Sequence, residues 1–264
     1  MRIYGIDVSH HQGVIDWEQT ASELRRVNGG QSPGFAIIRA GHSARNGQGG
    51  LVEDGQAKRN LSECNRLGIP CGVYVYCYDQ SPVAADKTIR ECLELVKAYR
   101  LDYPVIYDVE YEPFHTSCGR AVNTAIIKAA MQVVESAGYY GMVYCSRDFF
   151  QRHTSLDELT GYDKWEAAYT SADTAAVANG IWQYSSRNAL GIAGFGNSLD
   201  CDIAYKDYPG IIRAAGLNGL GREKETLYRL LAGPVSAGDR PRFRQALDAL
   251  EKELGVGYRV ETAK

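Results

Sequence analysis

The chain has 264 residues, of which 45% are hydrophobic and 23% charged, and its formal net charge is -3. That length and balance suit one large globular domain, or a medium one with a small companion. The weak negative charge offers no basic field to nucleic acid or an anionic membrane. No apolar run approaches the ~18 residues that a membrane span needs. Neither nucleic acid nor membrane is expected as a partner.

The elements follow one another with a clear alternation. Ile3 to Val8 reads as a first strand, followed by the polar loop His10-His11-Gln12-Gly13 and a helix from Asp16-Trp17. Phe35 to Gly41 is a second buried strand, and a helix over about 53–67 closes at Gly68 with Pro70 beyond it. The Gly-rich loop 46–50 lacks the Lys and the following helix of a phosphate-binding loop. Strand 71–78, helix 82–100, a central strand 104–110, helix 120–137 and strand 141–145 come next. After that the helices fade. Short strands at 165–169, 180–184 and 201–205 are too close together for full crossover helices. Four or five βα units followed by bare strands predict an α/β parallel barrel whose second half has lost helices, with a doubly wound sheet as the alternative.

The central strand changes abruptly from the apolar Val105-Ile106-Tyr107 to Asp108-Val109-Glu110. A strand has a side-chain period of two, so Asp108 and Glu110 share a face at its C-terminal end. Mutual repulsion raises the pKa of one of two adjacent carboxylates, which is how a general acid is kept beside an ionised partner. An exposed edge strand would carry the same D-x-E without function. In a barrel, however, the strand ends converge on one face, where chemistry sits. Asp7 at the end of the first strand and Asp200 at the last would join the pair there.

Other features limit the chemistry. The seven Cys form no C-x-x-C pair and no tight cluster with His, so a zinc site is not expected. Their odd number fits synthesis in a reducing compartment. The N-terminus runs straight into a strand pattern with no signal peptide, so synthesis in the cytoplasm as a soluble protein is expected. Eighteen Tyr and three Trp could stack on sugar rings, although packing in the core is the ordinary use of each.

Five ordered motifs resemble the lysozymes of glycoside hydrolase family 25: Gly5-Ile6-Asp7-Val8-Ser9 with Gln12-Gly13, Ile38-Arg39-Ala40-Gly41, Asp108-Val109-Glu110, Trp182-Gln183-Tyr184 and Leu199-Asp200-x-Asp202. The resemblance covers about residues 1–208 and implies an irregular TIM-like (β/α)5(β)3 barrel. It implies a muramidase that cleaves the β-1,4 bond between N-acetylmuramic acid and N-acetylglucosamine of bacterial peptidoglycan, of the phage or prophage endolysin type. Such a protein acts on the cell wall after release from the host cytoplasm, contributing to cytolysis. By position, Glu110 is then the general acid, Asp108 its companion carboxylate, and Asp7 and Asp200 complete the acidic cluster. Substrate-binding candidates are Arg39, Tyr76, Tyr107, Trp165, Trp182, Gln183 and Tyr184, with Tyr169 as a further aromatic. Arg39 or Gln183 could instead hold a carboxylate in place, and His10 and His11 read as rim residues. An enzyme carboxylate or the substrate's own N-acetyl oxygen could attack the sugar; the assisted route with net retention is preferred. A chitin-type glycosidase and a non-catalytic wall-binding barrel are the alternatives.

Residues 209–225 read as a short helix and linker, and 226–264 as a small C-terminal unit. There Leu227 to Leu231 resembles a strand, Phe243, Leu247, Leu250 and Leu254 lie on one helix face, and Tyr258 to Glu261 resembles a last strand. A β-α-β unit of ~40 residues buries too little to stand alone. Wall binding or self-association into a homo-oligomer is expected of it.

Overall fold

A computed structural model describes residues 2–171, 179–220 and 238–254 and divides the chain into two units, Met1–Glu223 and Lys224–Lys264. The first unit is built on nine strands: β1 (Ile3–Val8), β2 (Phe35–Ser43), β3 (Leu51–Glu53), β4 (Cys71–Tyr76), β5 (Val105–Asp108), β6 (Gly141–Ser146), β7 (Asp163–Ala167), β8 (Ile181–Ser185) and β9 (Asp200–Ala204). They hydrogen-bond in the order β1-β9-β8-β7-β6-β5-β4-β2-β3, and pairing of β1 with β2 closes eight of them into a barrel. β3 lies outside the ring as an antiparallel hairpin arm on β2. This is the expected barrel, and closure excludes the open doubly wound sheet.

Helices follow the first five barrel strands: α1 (Trp17–Val27), α2 (Ala57–Leu67), α3 (Pro82–Val96), the single turn α4 (Glu112–His115) with α5 (Arg120–Ser136), and α6 (Arg147–His153). Local chemistry sets their ends. The Asp16 carboxylate caps α1 by accepting from the Gln19 N–H at 3.0 Å, and Ser81 caps α3 in front of Pro82. Gly68 ends α2 in the left-handed region, at φ 66°. The helix expected from residue 53 starts only at Ala57, because Leu51–Glu53 pair with Gly41–Ser43 instead. Among the described residues, no helix separates β7 from β8 or β8 from β9.

One feature of the topology departs from the expected all-parallel barrel. β9 runs antiparallel to both β1 and β8. Its N-terminal end, not its C-terminal end, therefore lies at the face where the parallel strands finish. That is how Asp200, the first residue of β9, comes to stand opposite Asp7.

Side chains alternate between two apolar layers. Facing the helices are Ile6, Val8, Ile38, Val73, Val75, Val105 and Tyr107, packed with Leu24, Leu61, Ile89 and Ile127. Inside the barrel are Phe35, Ile37, Ile106, Met142, Tyr144, Trp165 and Ile181, joined by Tyr103, Tyr208 and Ile212. The last two belong to α7 (Tyr208–Ala215), within the stretch read as helix and linker. Asn218 then donates to the carbonyls of Leu101 and Tyr103, both at 3.0 Å, and accepts from the Tyr140 N–H at 2.8 Å. Residues 208–218 thus pack onto the barrel end opposite the acids.

In the second unit, α8 spans Arg240–Leu254, with Phe243 and Leu247 partly buried. The strands expected at 227–231 and 258–261 lie outside the described residues. No helix among the described residues is long and apolar enough to cross a membrane.

Candidate active site

Five carboxyl groups meet at the end of the barrel where the parallel strands finish. Asp7 is the penultimate residue of β1 and Asp108 the last of β5, each almost fully buried. Pairing of β5 stops at Asp108, short of the expected residue 110, but the Val109 N–H still donates to the Tyr144 carbonyl at 3.0 Å. That bond carries the alternation one residue further. Val109 stays buried against the helices while Glu110 returns to the inner face, half-buried. Asp200 and Asp202 enter from β9, the first half-buried and the second fully buried.

A polar frame fixes these acids. Gln183 Nε2 donates to Asp7 Oδ2 at 2.8 Å, while its Oε1 accepts from the Tyr144 and Tyr169 hydroxyls, each at 3.0 Å. Trp165 Nε1 donates to Asp202 Oδ1 at 2.8 Å. Burial pushes Asp7 and Asp202 well above the usual carboxylate range; the charge of Asp200 adds to the rise of Asp7, and the charges of Asp7 and Asp200 add to that of Asp202.

Asp108 is likewise pushed up, by burial, then by Glu110 and Asp7. Its Oδ1 is buried without a hydrogen-bond partner. The positive charge of Arg39 acts the other way but is outweighed. Arg39 is committed elsewhere: its Nε donates to Asp54 Oδ2 at 2.8 Å, and His10 Nδ1 meets the same oxygen at 2.7 Å. Glu110 is raised by burial and by Asp200, against a smaller lowering by the neighbouring Tyr144. A half-open carboxyl that keeps its proton toward neutral pH suits a proton donor.

The candidates separate by strand parity. Asp7, Arg39, Asp108, Glu110, Gln183 and Asp200 come together, with Tyr76 half-buried beside them. Trp165 is 1% exposed and acts from underneath, through Asp202. Tyr107 is not brought to the site. It is one residue out of phase with Asp108, faces the helices, and donates to Asp79 Oδ2 at 2.6 Å. Trp182 and Tyr184 flank Gln183 and therefore lie on the outer face, their rings 5.5 Å apart, with Trp182 Nε1 on the Ala168 carbonyl. A bulge between Gln183 and Ser185 takes up Tyr184. A motif written as a run of consecutive residues hides that only alternate members share a face.

Sequence reasoning missed Asp202 and Tyr144 as site residues. Asp202 follows Asp200 at the same i, i+2 spacing that identified Asp108 and Glu110, so the signal was present. Tyr144 and Asp54 carried none, because their partners are remote in sequence. Among the described residues, no group of three or more His, Cys, Asp or Glu forms a metal-ligand arrangement. All seven Cys are free.

A closed barrel that lacks helices after β7 and β8 among the described residues, with a nest of carboxyls at one end, fits the class of an acid-catalysing glycoside hydrolase. The chain belongs to the glycosyl hydrolases family 25, whose model matches residues 6–192. Among curated relatives, the uncharacterized protein YegX of Escherichia coli K12 is 30% identical over 192 residues, covering 71% of this chain and 65% of its own length. The YegX of Escherichia coli O157:H7 is 29% identical, over 76% of this chain and 69% of its own. Among solved structures, the modular autolysin LytC of Streptococcus pneumoniae, in complex with a synthetic peptidoglycan ligand, is 30% identical with a TM-score of 0.64. That match covers 77% of this chain and 47% of LytC, so the chain spans about half the length of that relative. A lysozyme of Streptomyces coelicolor, 18% identical over 83% of this chain and 98% of its own, shares the fold with a TM-score of 0.63.

The acid cluster has a measurable cost in stability. Burial raises Asp200 from 3.8 to about 6. Between those values the folded chain takes up a proton that the unfolded chain has released, so stability falls as pH rises through this window. Asp200→Asn buries no charge and is expected to raise Tm relative to wild type at pH 7 but not near pH 4. An equal offset at both pH values would remove charge burial at Asp200 as the cause.

Proposed function

We propose that this protein is a muramidase, hydrolysing the β-1,4 bond between N-acetylmuramic acid and N-acetylglucosamine of bacterial peptidoglycan. One observation carries the reading: Asp7, Asp108, Glu110 and Asp200, far apart in sequence, meet on one barrel face with Glu110 half-open and Asp108 enclosed behind it. Glycoside hydrolysis needs one protonated and one ionised carboxyl about an oxocarbenium-like transition state. Glu110 donates its proton to the glycosidic oxygen. Asp108, with one oxygen lacking a partner, orients the substrate's N-acetyl group, whose oxygen attacks C1 from the opposite face. Water then opens the cyclic intermediate, returning the proton to Glu110 and retaining configuration. Isolation of a glycosyl adduct on Asp108 or Asp200 would exclude this route.

The LytC complex supports the substrate class, since that relative was solved with a peptidoglycan ligand. We extend the proposal to an endolysin-type role at the cell wall, with residues 226–264 attaching the protein to the wall or to a second copy. Light scattering of the full chain tests self-association: the 29.1 kDa monomer mass would eliminate it.

The deciding experiment is digestion of purified peptidoglycan with mass analysis of the released ends. New reducing N-acetylmuramic ends support the reading. Reducing N-acetylglucosamine ends would move the cut to the other bond. Pelleting with the wall, without release, would leave a binding barrel.

A further inference from the structure

The rim beyond β2, β4 and β5 carries residues that the acid chemistry leaves unused. Tyr76, Tyr78 and Tyr111 form a continuous ridge, with successive ring centroids 5.0 and 4.7 Å apart. His42 meets Tyr78 edge-on at 5.5 Å, and the Arg45 guanidinium lies 5.7 Å from the Tyr78 ring centroid. All five residues come from the ends of parallel strands or the loops just beyond them, so they share the face that holds the acids. A bulge between Arg39 and Gly41 shifts the phase of β2 and sets His42 beside Tyr76. The inner end of the ridge touches the catalytic field: burial, then Glu110 and Asp108, raise the Tyr76 phenol above its ordinary value. The tyrosines and His42 are half-buried and Arg45 is exposed. The ridge therefore runs from the acids outward to a cation.

Arg45 differs from its neighbour Arg39. Arg39 is spent on Asp54, whereas no carboxylate among the described residues pairs with Arg45, whose one recorded contact is the Tyr78 ring. A guanidinium held by a ring keeps its planar fork free for a bidentate carboxylate. The carboxyl-lined pocket gives an anionic substrate nothing to pair with, and Arg39 is bound to Asp54, so a cation on the approach supplies the attraction.

We propose that Tyr78 and Arg45 form a specificity subsite in which the ridge supports a sugar ring and Arg45 binds a carboxylate on that sugar's side chain. This inference rests on the peptidoglycan reading above, where a lactyl side chain carries either a peptide with free carboxylates or, once stripped, its own carboxylate. The enzyme thereby favours glycan bearing acidic substituents over neutral glycan.

The test compares the full-length wild type with Arg45→Ala and Arg45→Lys on soluble glycan of three kinds: peptide-bearing, peptide-bearing with its carboxylates converted to methylamides, and amidase-stripped. On peptide-bearing glycan, Arg45→Ala is expected to raise KM about tenfold with kcat unchanged, the order of one charge-assisted pair at an exposed rim. Arg45→Lys should recover only part of the loss, and the methylamide substrate should abolish the difference. If stripped glycan also separates the variants, Arg45 takes the freed lactyl carboxylate as well as a peptide carboxylate; if not, it takes a peptide carboxylate alone. Equal KM values on peptide-bearing glycan would overturn the proposal, as would an undiminished difference on methylamides. Equilibrium binding of the same three glycans reads the same contrast without turnover, so failure of the muramidase reading stays distinguishable from failure of this one.

Discussion

Glu110→Gln is expected to abolish peptidoglycan hydrolysis, lowering kcat by about 10²–10⁴-fold, the usual worth of a positioned general acid. The amide matches the carboxyl in size, so fold and wall binding should survive. It lacks a transferable proton, so the leaving oxygen departs as an unstabilised anion. The same chemistry sets the pH profile. Burial and the charge of Asp200 raise Glu110, extending its protonated range upward, and activity should fall as pH rises through that raised value. The check is turbidity loss of purified wall together with sedimentation of the protein. A variant that retains a tenth of wild-type turnover would remove Glu110 from the role of proton donor. One that no longer sediments with the wall would show a binding loss instead.

Gly5→Ala is expected to destabilise the barrel wall. A Cβ at this position would stand 2.4 Å from Phe35 Cε1 and 2.5 Å from two further ring atoms, all inside the barrel. Gly5 pairs with Phe35 on β2 and with Asp202 on β9. The ring therefore fills space that any side chain on β1 would need. Overpacking of this kind costs about 1–3 kcal/mol, or roughly 2–12 °C in Tm for a unit of this size. Phe35→Leu removes the outer ring atoms, so Gly5→Ala should cost less in that background. Thermal melts of the four combinations measure the coupling. Additive losses would show that the Phe35 ring is not what requires glycine here. Because Asp202 sits beside Gly5, a wall that shifts also moves the buried acids, and lost activity should accompany the lost stability.

Much of this architecture was legible in the chain. The alternation of apolar runs with Gly- and Pro-marked turns located every strand of the barrel, because a strand buried on both faces leaves a short run of apolar residues. The loss of helices between the late strands was equally visible, since 13 residues between β7 and β8 leave no room for a full crossover. The period of two put Asp108 and Glu110 on one face, and the convergence of strand ends in a barrel added Asp7 and Asp200.

Tertiary structure decided the rest, because it depends on partners far apart along the chain. The direction of β9 is not written in Asp200-Cys201-Asp202, which reads the same whether its first or its last residue lies at the active end. Only its pairing with β1 and β8 turns Asp200 toward Asp7. Strand parity, together with the bulge at Tyr184, removed Tyr107, Trp182 and Tyr184 from the pocket, although they adjoin residues inside it. Burial then set the acidities. Asp7, Asp108 and Asp202 are ordinary carboxylates in sequence, and their hold on a proton strengthens because closure of the barrel strips away their water. The identity of the acids is thus a property of the sequence, while their acidity is a property of the enclosure.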